Sequence, residues 1–358
     1  MEPLKEMFGS AFFNQLAQAI KTFYPKFESE DFLKAVIEPI AAMSLNERMR
    51  HASKTLHKFM LSDYRETIRI FKEAITLLKP GYTTLIFPEY VNQFGTHDFD
   101  ASLDALKHFT RFGSSEFAIR TFLKLDLSTT LKKMYEWSKD ENEHVRRLSS
   151  EGSRPRLPWS FKLDAMIENP RLTQPILEQL KKDDSLYVRK SVANHLNDIS
   201  KDAADFVLSM VKGWDKTHPH TAWIVKRGCR SMLKQGDKKS LAIFNFTKDA
   251  EVSIKKFKIT PTVKLGGTLS FEFEIGSNKK SIQQLMIDYR IHFKKKSGQM
   301  FPKVFKLKEI ELKSGSSVFI SKNQSFKDFT TRKHYKGNHK LEIVFNGEVK
   351  KRAGFIVR

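Results

Sequence analysis

Asp140-Glu141-Asn142-Glu143-His144-Val145-Arg146-Arg147 returns in altered form as Asp183-Asp184-Ser185-Leu186-Tyr187-Val188-Arg189-Lys190. Each stretch opens on acidic or polar residues suited to a turn and a helix start. Each then runs into a valine followed by two cations. A third echo, Ile224-Val225-Lys226-Arg227, keeps the valine and the cations. The three valines are 43 and 37 residues apart, and each is expected early in a helix. A period near 40 is the spacing of paired helices stacked into an α-solenoid, each pair burying its apolar face against the next.

Residues on either side of this repeat agree with it. Phe12, Leu16 and Ile20, then Phe32, Val36, Ile37 and Ile40, recur at helical spacing. So do Ile176, Leu177 and Leu180, in a segment that follows Pro170 and ends at the Lys181-Lys182-Asp183-Asp184 run. After Glu251 the period becomes two. Leu269, Phe271, Phe273 and Ile275 share one face, and Leu285, Ile287, Tyr289, Ile291 and Phe293 do the same. Leu341, Ile343 and Phe345 lead into Asn346-Gly347, a type I′ hairpin signal, and a last strand to Val357. Six or seven short strands in about 110 residues predict an immunoglobulin-like sandwich. The expected fold is therefore two-domain: an all-α solenoid of HEAT-like repeats over 1–247, then an all-β immunoglobulin-like sandwich over 248–358.

The 358 residues carry a formal charge of +22, which points to a polyanionic partner and away from ordinary metabolic enzymes. The excess is uneven. Residues 248–358 hold 25 Lys+Arg against 10 Asp+Glu, while 1–247 hold 38 against 31. Lys294-Lys295-Lys296, Lys303, Lys306, Lys308 and Lys350-Lys351-Arg352 make the β-region the more basic, and it is expected to add affinity for nucleic acid. The single cysteine, Cys229, excludes a disulfide framework and a multi-thiolate zinc site. Neither a secretory leader nor an apolar run long enough to span a bilayer is read, so a cytoplasmic monomer without a membrane partner is expected. With no phosphate-binding glycine loop and no His-Glu-x-x-His motif, no cofactor and no metal are expected.

In a stacked-helix array, cations after each valine fall along one face: Arg146, Arg147, Arg189, Lys190, Lys226 and Arg227. Such a ladder suits a phosphate backbone. The same residues can instead bond carbonyls or acids of neighbouring repeats. The densest segment is Val145-Arg146-Arg147-Leu148-Ser149-Ser150-Glu151-Gly152-Ser153-Arg154-Pro155-Arg156-Leu157-Pro158-Trp159. Glu151 lies near the end of the basic face, Arg154 and Arg156 flank Pro155, and Trp159 is expected to open the next helix. A carboxylate among cations weakens phosphate binding, so it needs another reason. Stabilising a developing cation is one; pairing Arg154 or Arg156 to hold the loop is the other.

Ser149-Ser150-Glu151-Gly152-Ser153-Arg154-Pro155-Arg156-Leu157-Pro158-Trp159 resembles the signature of the AlkC branch of HEAT-like DNA alkylation-repair glycosylases. Ser191-Val192-Ala193-Asn194-His195-Leu196-Asn197-Asp198-Ile199-Ser200-Lys201 and Ser114-Ser115-Glu116-Phe117-Ala118-Ile119-Arg120 are similar to further blocks of that family, in the same order. The likeness covers most of 1–245, and some AlkC-like proteins carry a C-terminal immunoglobulin-like domain. The resemblance implies hydrolysis of the N-glycosidic bond of cationic N3-alkylated bases, such as 3-methyladenine and 3-methylcytosine, in double-stranded DNA. It also implies Glu116, Glu151 and Asp198 as the acids, with Trp159 beside the lesion. Each has a plainer reading: Glu116 as a first-turn acid, Asp198 as the cap of a helix starting near Ala203, Trp159 as core. His195 is expected to be structural. The competing function is a non-catalytic HEAT-repeat scaffold that binds nucleic acid or an acidic protein.

Overall fold

Helices fill the chain from Ser10 to Ile243 and strands fill it from Val252 to Val357. The computed structural model describes residues 3–61, 63–247, 249–329 and 332–358. Two compact units result. One runs to Val207 and includes Trp214–Gly228; the other comprises Leu208–Gly213 and Cys229–Arg358. The helices Arg230–Gln235 and Lys238–Ile243 thus belong with the strands, upstream of the change of hydrophobic period. Lys248, where the β-region is expected to begin, lies outside the described residues.

The repeat has a physical origin in its turns. Asn142 caps the helix Glu143–Gly152 by accepting from the His144 amide, and Ser185 caps the helix Leu186–Ile199 by accepting from the amides of Tyr187 and Val188. One residue pair earlier the same device recurs: Asp140 accepts from Asn142 N at 2.9 Å and Asp183 from Ser185 N at 2.8 Å. Val145 and Val188 are each the third helical residue, and both are wholly buried.

The third echo is out of register. The helix Pro219–Gly228 starts 33 residues after Leu186, and its third residue is Thr221, with Val225 seventh. Thr221 and Val225 are both buried because residues four apart share a helix face. The Val-Lys-Arg string is therefore a later turn of the same face. Lys226 and Arg227 stand exposed in the last turn, and Arg227 lies over the Trp223 ring at 5.4 Å. What the third helix does share with the first is its tenth residue. A Cβ on Gly152 would come within 2.5 Å of Ile119 Cγ2, and one on Gly228 within 2.9 Å of Leu196 Cβ. Both glycines let a neighbouring helix approach closely.

In the second unit, β1 (Val252–Ile259), β3 (Thr268–Ser277) and β6 (Ser317–Ser325) form a sheet in the order β1-β3-β6. The facing sheet runs β2-β8-β7-β4-β5, from β2 (Thr262–Val263), β4 (Gln283–Lys294), β5 (Met300–Leu312), β7 (Gly337–Phe345) and β8 (Glu348–Val357). The residues read as one face do meet in the core: Leu269, Phe273, Ile275, Leu285, Ile287 and Ile291 are fully buried. Asn346 and Gly347 have φ of 46° and 84°, the backbone a type I′ turn needs, and β7 pairs antiparallel with β8 across them. The opposite face of β4 is not solvated throughout, since Met286 and Asp288 are buried too.

Candidate active site

Glu151 is the ninth residue of its helix, close to the negative end of the helix dipole, where a carboxylate is disfavoured. Two guanidinium groups answer it. Arg154 Nη1 stands 2.6 Å from Glu151 Oε1 and Arg147 Nη2 stands 3.6 Å away. Arg147 also meets Glu116 at 2.6 Å, and Arg154 meets Asp198 at 2.7 Å. Lys201 Nζ closes the series, 2.9 Å from Asp198 Oδ1. Acids and cations thus alternate through Glu116, Arg147, Glu151, Arg154, Asp198 and Lys201. Burial works against the charges of Arg147 and Arg154, yet the carboxylates beside them outweigh it and hold both pKa values above the ordinary arginine range.

A cleft of about 730 Å³ opens on part of this series. Glu116, Arg147, Glu151, Arg154 and Trp159 line it, together with Tyr82 and Tyr187. Trp159 does not open a helix and is not core. It sits in a turn, 74% exposed, and the next helix begins at Asp164. Its φ of 67° is left-handed, a conformation that costs an L-residue roughly 1–2 kcal/mol and persists only where surroundings impose it. The Pro155 and Pro158 turns keep the segment from continuing the helix.

Glu116 precedes its helix, which starts at Ile119, and is not a first-turn acid. Ser114 Oγ donates to its carboxylate at 2.8 Å and to that extent sets its direction. Asp198 does not cap the following helix either; it is 2% exposed inside Leu186–Ile199. Its Oδ2 accepts from Arg154 Nε at 2.8 Å and its Oδ1 from Lys201, so it stands behind Arg154 and off the cleft wall. His195 is fully buried, and burial together with the Arg154 charge pushes its pKa down to about 3, leaving a neutral ring.

The expected ladder splits. Arg146 Nη1 donates to the carbonyls of Asp140 and Glu141, and Arg189 Nη1 to those of Asp183 and Asp184, each guanidinium folding back over its own turn. Arg146 also forks onto Asp183 at 2.7 and 3.1 Å, tying one repeat to the next. Arg146 thus joins its own turn to the next repeat, while Arg189 braces its own turn alone. Arg156 forks onto Asp202 at 2.9 and 2.7 Å and anchors the far side of the Trp159 turn. Lys190 is exposed. Of the ladder, Arg147 alone reaches the cleft wall.

Sequence reasoning overlooked Tyr187, Tyr82 and Arg120. Tyr187 takes the place before its valine that His144 takes before Val145; their rings meet edge to face at 5.5 Å, and Arg147 lies over the tyrosine at 4.5 Å. Arg120, at the end of the Ser114–Arg120 stretch, is wholly buried. Among the described residues, no cluster of three or more His, Cys, Asp or Glu side chains could hold a metal ion, and no helix is long and apolar enough to cross a membrane.

The β-region cations also divide. Lys294, Lys295, Lys296 and Lys303 line a groove of about 1410 Å³ in the second unit with Lys234, Arg290, Arg332 and Lys333. Among the described residues, no acid lines that groove. Lys306, Lys350 and Arg352 instead pair with Glu309, Glu348 and Glu342, Lys351 lies over the Phe257 ring, and Lys308 is exposed on β5.

Residues 97–232 match a family described as DNA alkylation repair enzyme, and residues 253–358 match one described as the C-terminal Ig-like domain of the uncharacterised protein YhaZ. The chain is 41% identical over 359 residues to the uncharacterized protein YhaZ of Bacillus subtilis (strain 168), covering 100% of both. It is 44% identical to the alkylpurine DNA glycosylase AlkC of Pseudomonas fluorescens, solved bound to DNA containing an abasic site analog; 100% of each chain is covered and the TM-score is 0.96.

Proposed function

Since the chain belongs to the AlkC family of DNA alkylation repair proteins, with its helical domain followed by an Ig-like domain, we propose that it is a DNA glycosylase for cationic alkylated bases. The bond cut is the N-glycosidic bond of N3-alkylated bases in double-stranded DNA, 3-methyladenine and 3-methylcytosine being the substrates. The observation that carries this reading is the pair Glu116 and Glu151 on the wall of one cleft beside an exposed Trp159. Carboxylates on that wall repel a phosphate backbone, and a binding scaffold would need them only to hold Arg147 and Arg154 in place.

Alkylation at N3 makes the base a cation and a good leaving group, so departure needs no strong general acid. What forms is an oxocarbenium-like sugar, and a fixed carboxylate stabilises it without reorganising. Glu151 is the carboxylate for this role. Its distance from Arg154 is that of a held group, and the held geometry is what preorganisation requires. Glu116 would flank the sugar or align the attacking water. Asp198 acts through Arg154, keeping that guanidinium on Glu151. Water takes the sugar position the base leaves, and no covalent enzyme intermediate is needed. Trp159 offers an aromatic face to the cationic base. Arg147, Lys190, Lys226, Arg227 and the basic groove of the Ig-like domain supply the phosphate contacts.

Chromatography of the bases released from DNA treated with a methylating agent tests the proposal. Free 3-methyladenine or 3-methylcytosine is expected with the protein and not without it. Tight binding of that DNA with no base released would instead support a scaffold.

A further inference from the structure

Arg120 does not line the cleft, yet among the described residues it heads the fully buried side chains in size. Burying a cation is costly unless its donors are satisfied. Here the acceptors are carbonyls, and they serve the two Nη groups, while Nε has no partner among the described residues. Nη1 donates to Gly152 O at 3.0 Å and to Arg154 O at 2.6 Å, and Nη2 donates to Phe161 O. The Phe161 ring lies 5.3 Å from the guanidinium. Burial pushes the pKa down to about 10, and Asp198, Glu116 and Glu151 push back against that fall. The arginine therefore stays charged at neutral pH, inside the field of the three acids.

Those three carbonyls bracket the segment that carries Arg154 and Trp159. Its own backbone bonds are few: Arg154 N to Glu151 O, Ser160 N to Leu157 O, and Leu163 N to Pro155 O. Such bonds close local turns but do not fix the segment on the helix Ile119–Leu125. The Arg120 fork does, reaching both of its ends at once. A lysine in that place offers one point of contact and cannot span the three carbonyls.

We propose that Arg120 is a positioning residue, whose grip on the carbonyls of Gly152, Arg154 and Phe161 sets the loop that aims Arg154 at Glu151 and presents Trp159 to the cleft. The proposal rests on the glycosylase reading above. The test uses the full chain with Arg120→Lys, alone and combined with Trp159→Ala. Three quantities are measured: single-turnover base release, affinity for abasic-site DNA, and hydrogen exchange at the amides of Arg154, Ser160 and Leu163. Base release should fall roughly tenfold to a hundredfold, the scale of a small misplacement, while affinity stays near wild type. The three amides should exchange faster. Because both residues act through one loop, Arg120→Lys should cost much less once Trp159 is gone. A wild-type release rate overturns the proposal, as do losses that multiply independently with loop exchange unchanged. If Arg120→Lys does not fold, Arg120→Gln carries the same readouts; if neither folds, Arg120 is a core element and the proposal fails. A wild-type protein that releases no base defeats the glycosylase reading instead, and loop exchange still reports on Arg120.

Discussion

Glu151→Gln removes a charge and almost no volume. Glu151 is 6% exposed and paired on both sides, so the change can be followed locally. Arg154 keeps Asp198 at 2.7 Å and Arg147 keeps Glu116 at 2.6 Å, and the glutamine oxygen still accepts from Arg154. No cation is left unpaired, so the melting temperature should fall by less than about 5 °C. The series of three acids and three cations loses one negative charge, and DNA binding should hold or tighten. A sugar cation forming about 4–5 Å from the carboxylate, in a site of effective dielectric near 20, gains about 3–4 kcal/mol. Divided by about 1.4 kcal/mol per decade, that is two to three orders of magnitude. The neighbouring guanidinium groups offset part of it, so base release should drop about a hundredfold, as for other lost preorganised contacts. The assay is single-turnover release of 3-methyladenine with protein in excess, which separates chemistry from binding. A Glu151→Gln protein with the wild-type single-turnover rate would refute the reasoning and leave Glu151 as a loop anchor.

Arg146→Ala should lower stability by about 1–3 kcal/mol, because it strips the Asp140 and Glu141 carbonyls and removes the ion pair of Asp183, which keeps only the Ser185 amide. Denaturant unfolding measures that loss, and DNA affinity with its salt slope should remain unchanged; a reduced slope would return Arg146 to the phosphates. Replacing Lys295, Lys303 and Lys333 together by Gln should flatten the salt dependence of DNA binding by about 2–3 in slope, near 0.9 per phosphate contact. An unchanged slope assigns the groove to another ligand. Asp288 is buried in β4, and burial raises its carboxyl from 3.8 to about 6, against the pull of Lys234 and Lys306. Between these values the folded chain holds a proton the unfolded chain has released, so this group's effect on stability worsens as pH climbs from about 4 to 6 and stays unfavourable above. Asp288→Asn should therefore gain on wild type at pH 7.5 relative to pH 4.5, by on the order of 2 kcal/mol, read from melting curves at both values; equal differences at the two pH values would refute the shift.

Both domains and their order were legible in the sequence because their signals are local. Period-two alternation decides which face of β3 or β4 is buried, and Asn346-Gly347 prescribes its own left-handed backbone. The Asp-x-Asn and Asp-x-Ser turns ahead of Val145 and Val188 cap their helices through atoms two and three residues away. Of the cleft acids, Glu151 is conspicuous by charge alone, as a carboxylate inside a cationic block, whereas Glu116 is reached only through the family resemblance. The tertiary structure decided the partners. Arg146 and Arg147 are adjacent in sequence, yet one turns to a carbonyl pair and Asp183 and the other to Glu116 and Glu151. A helix sends successive side chains about 100° apart, and which neighbour waits there depends on packing. The third Val-Lys-Arg string misled because a helix face recurs every three or four residues, so spacing alone cannot number the turn. Arg154 reaches Asp198 across 44 residues, and Arg120 reaches three carbonyls up to 41 residues on. Such contacts follow from close-packed helices such as the Gly152 approach to Ile119, and no periodicity within a helix encodes them.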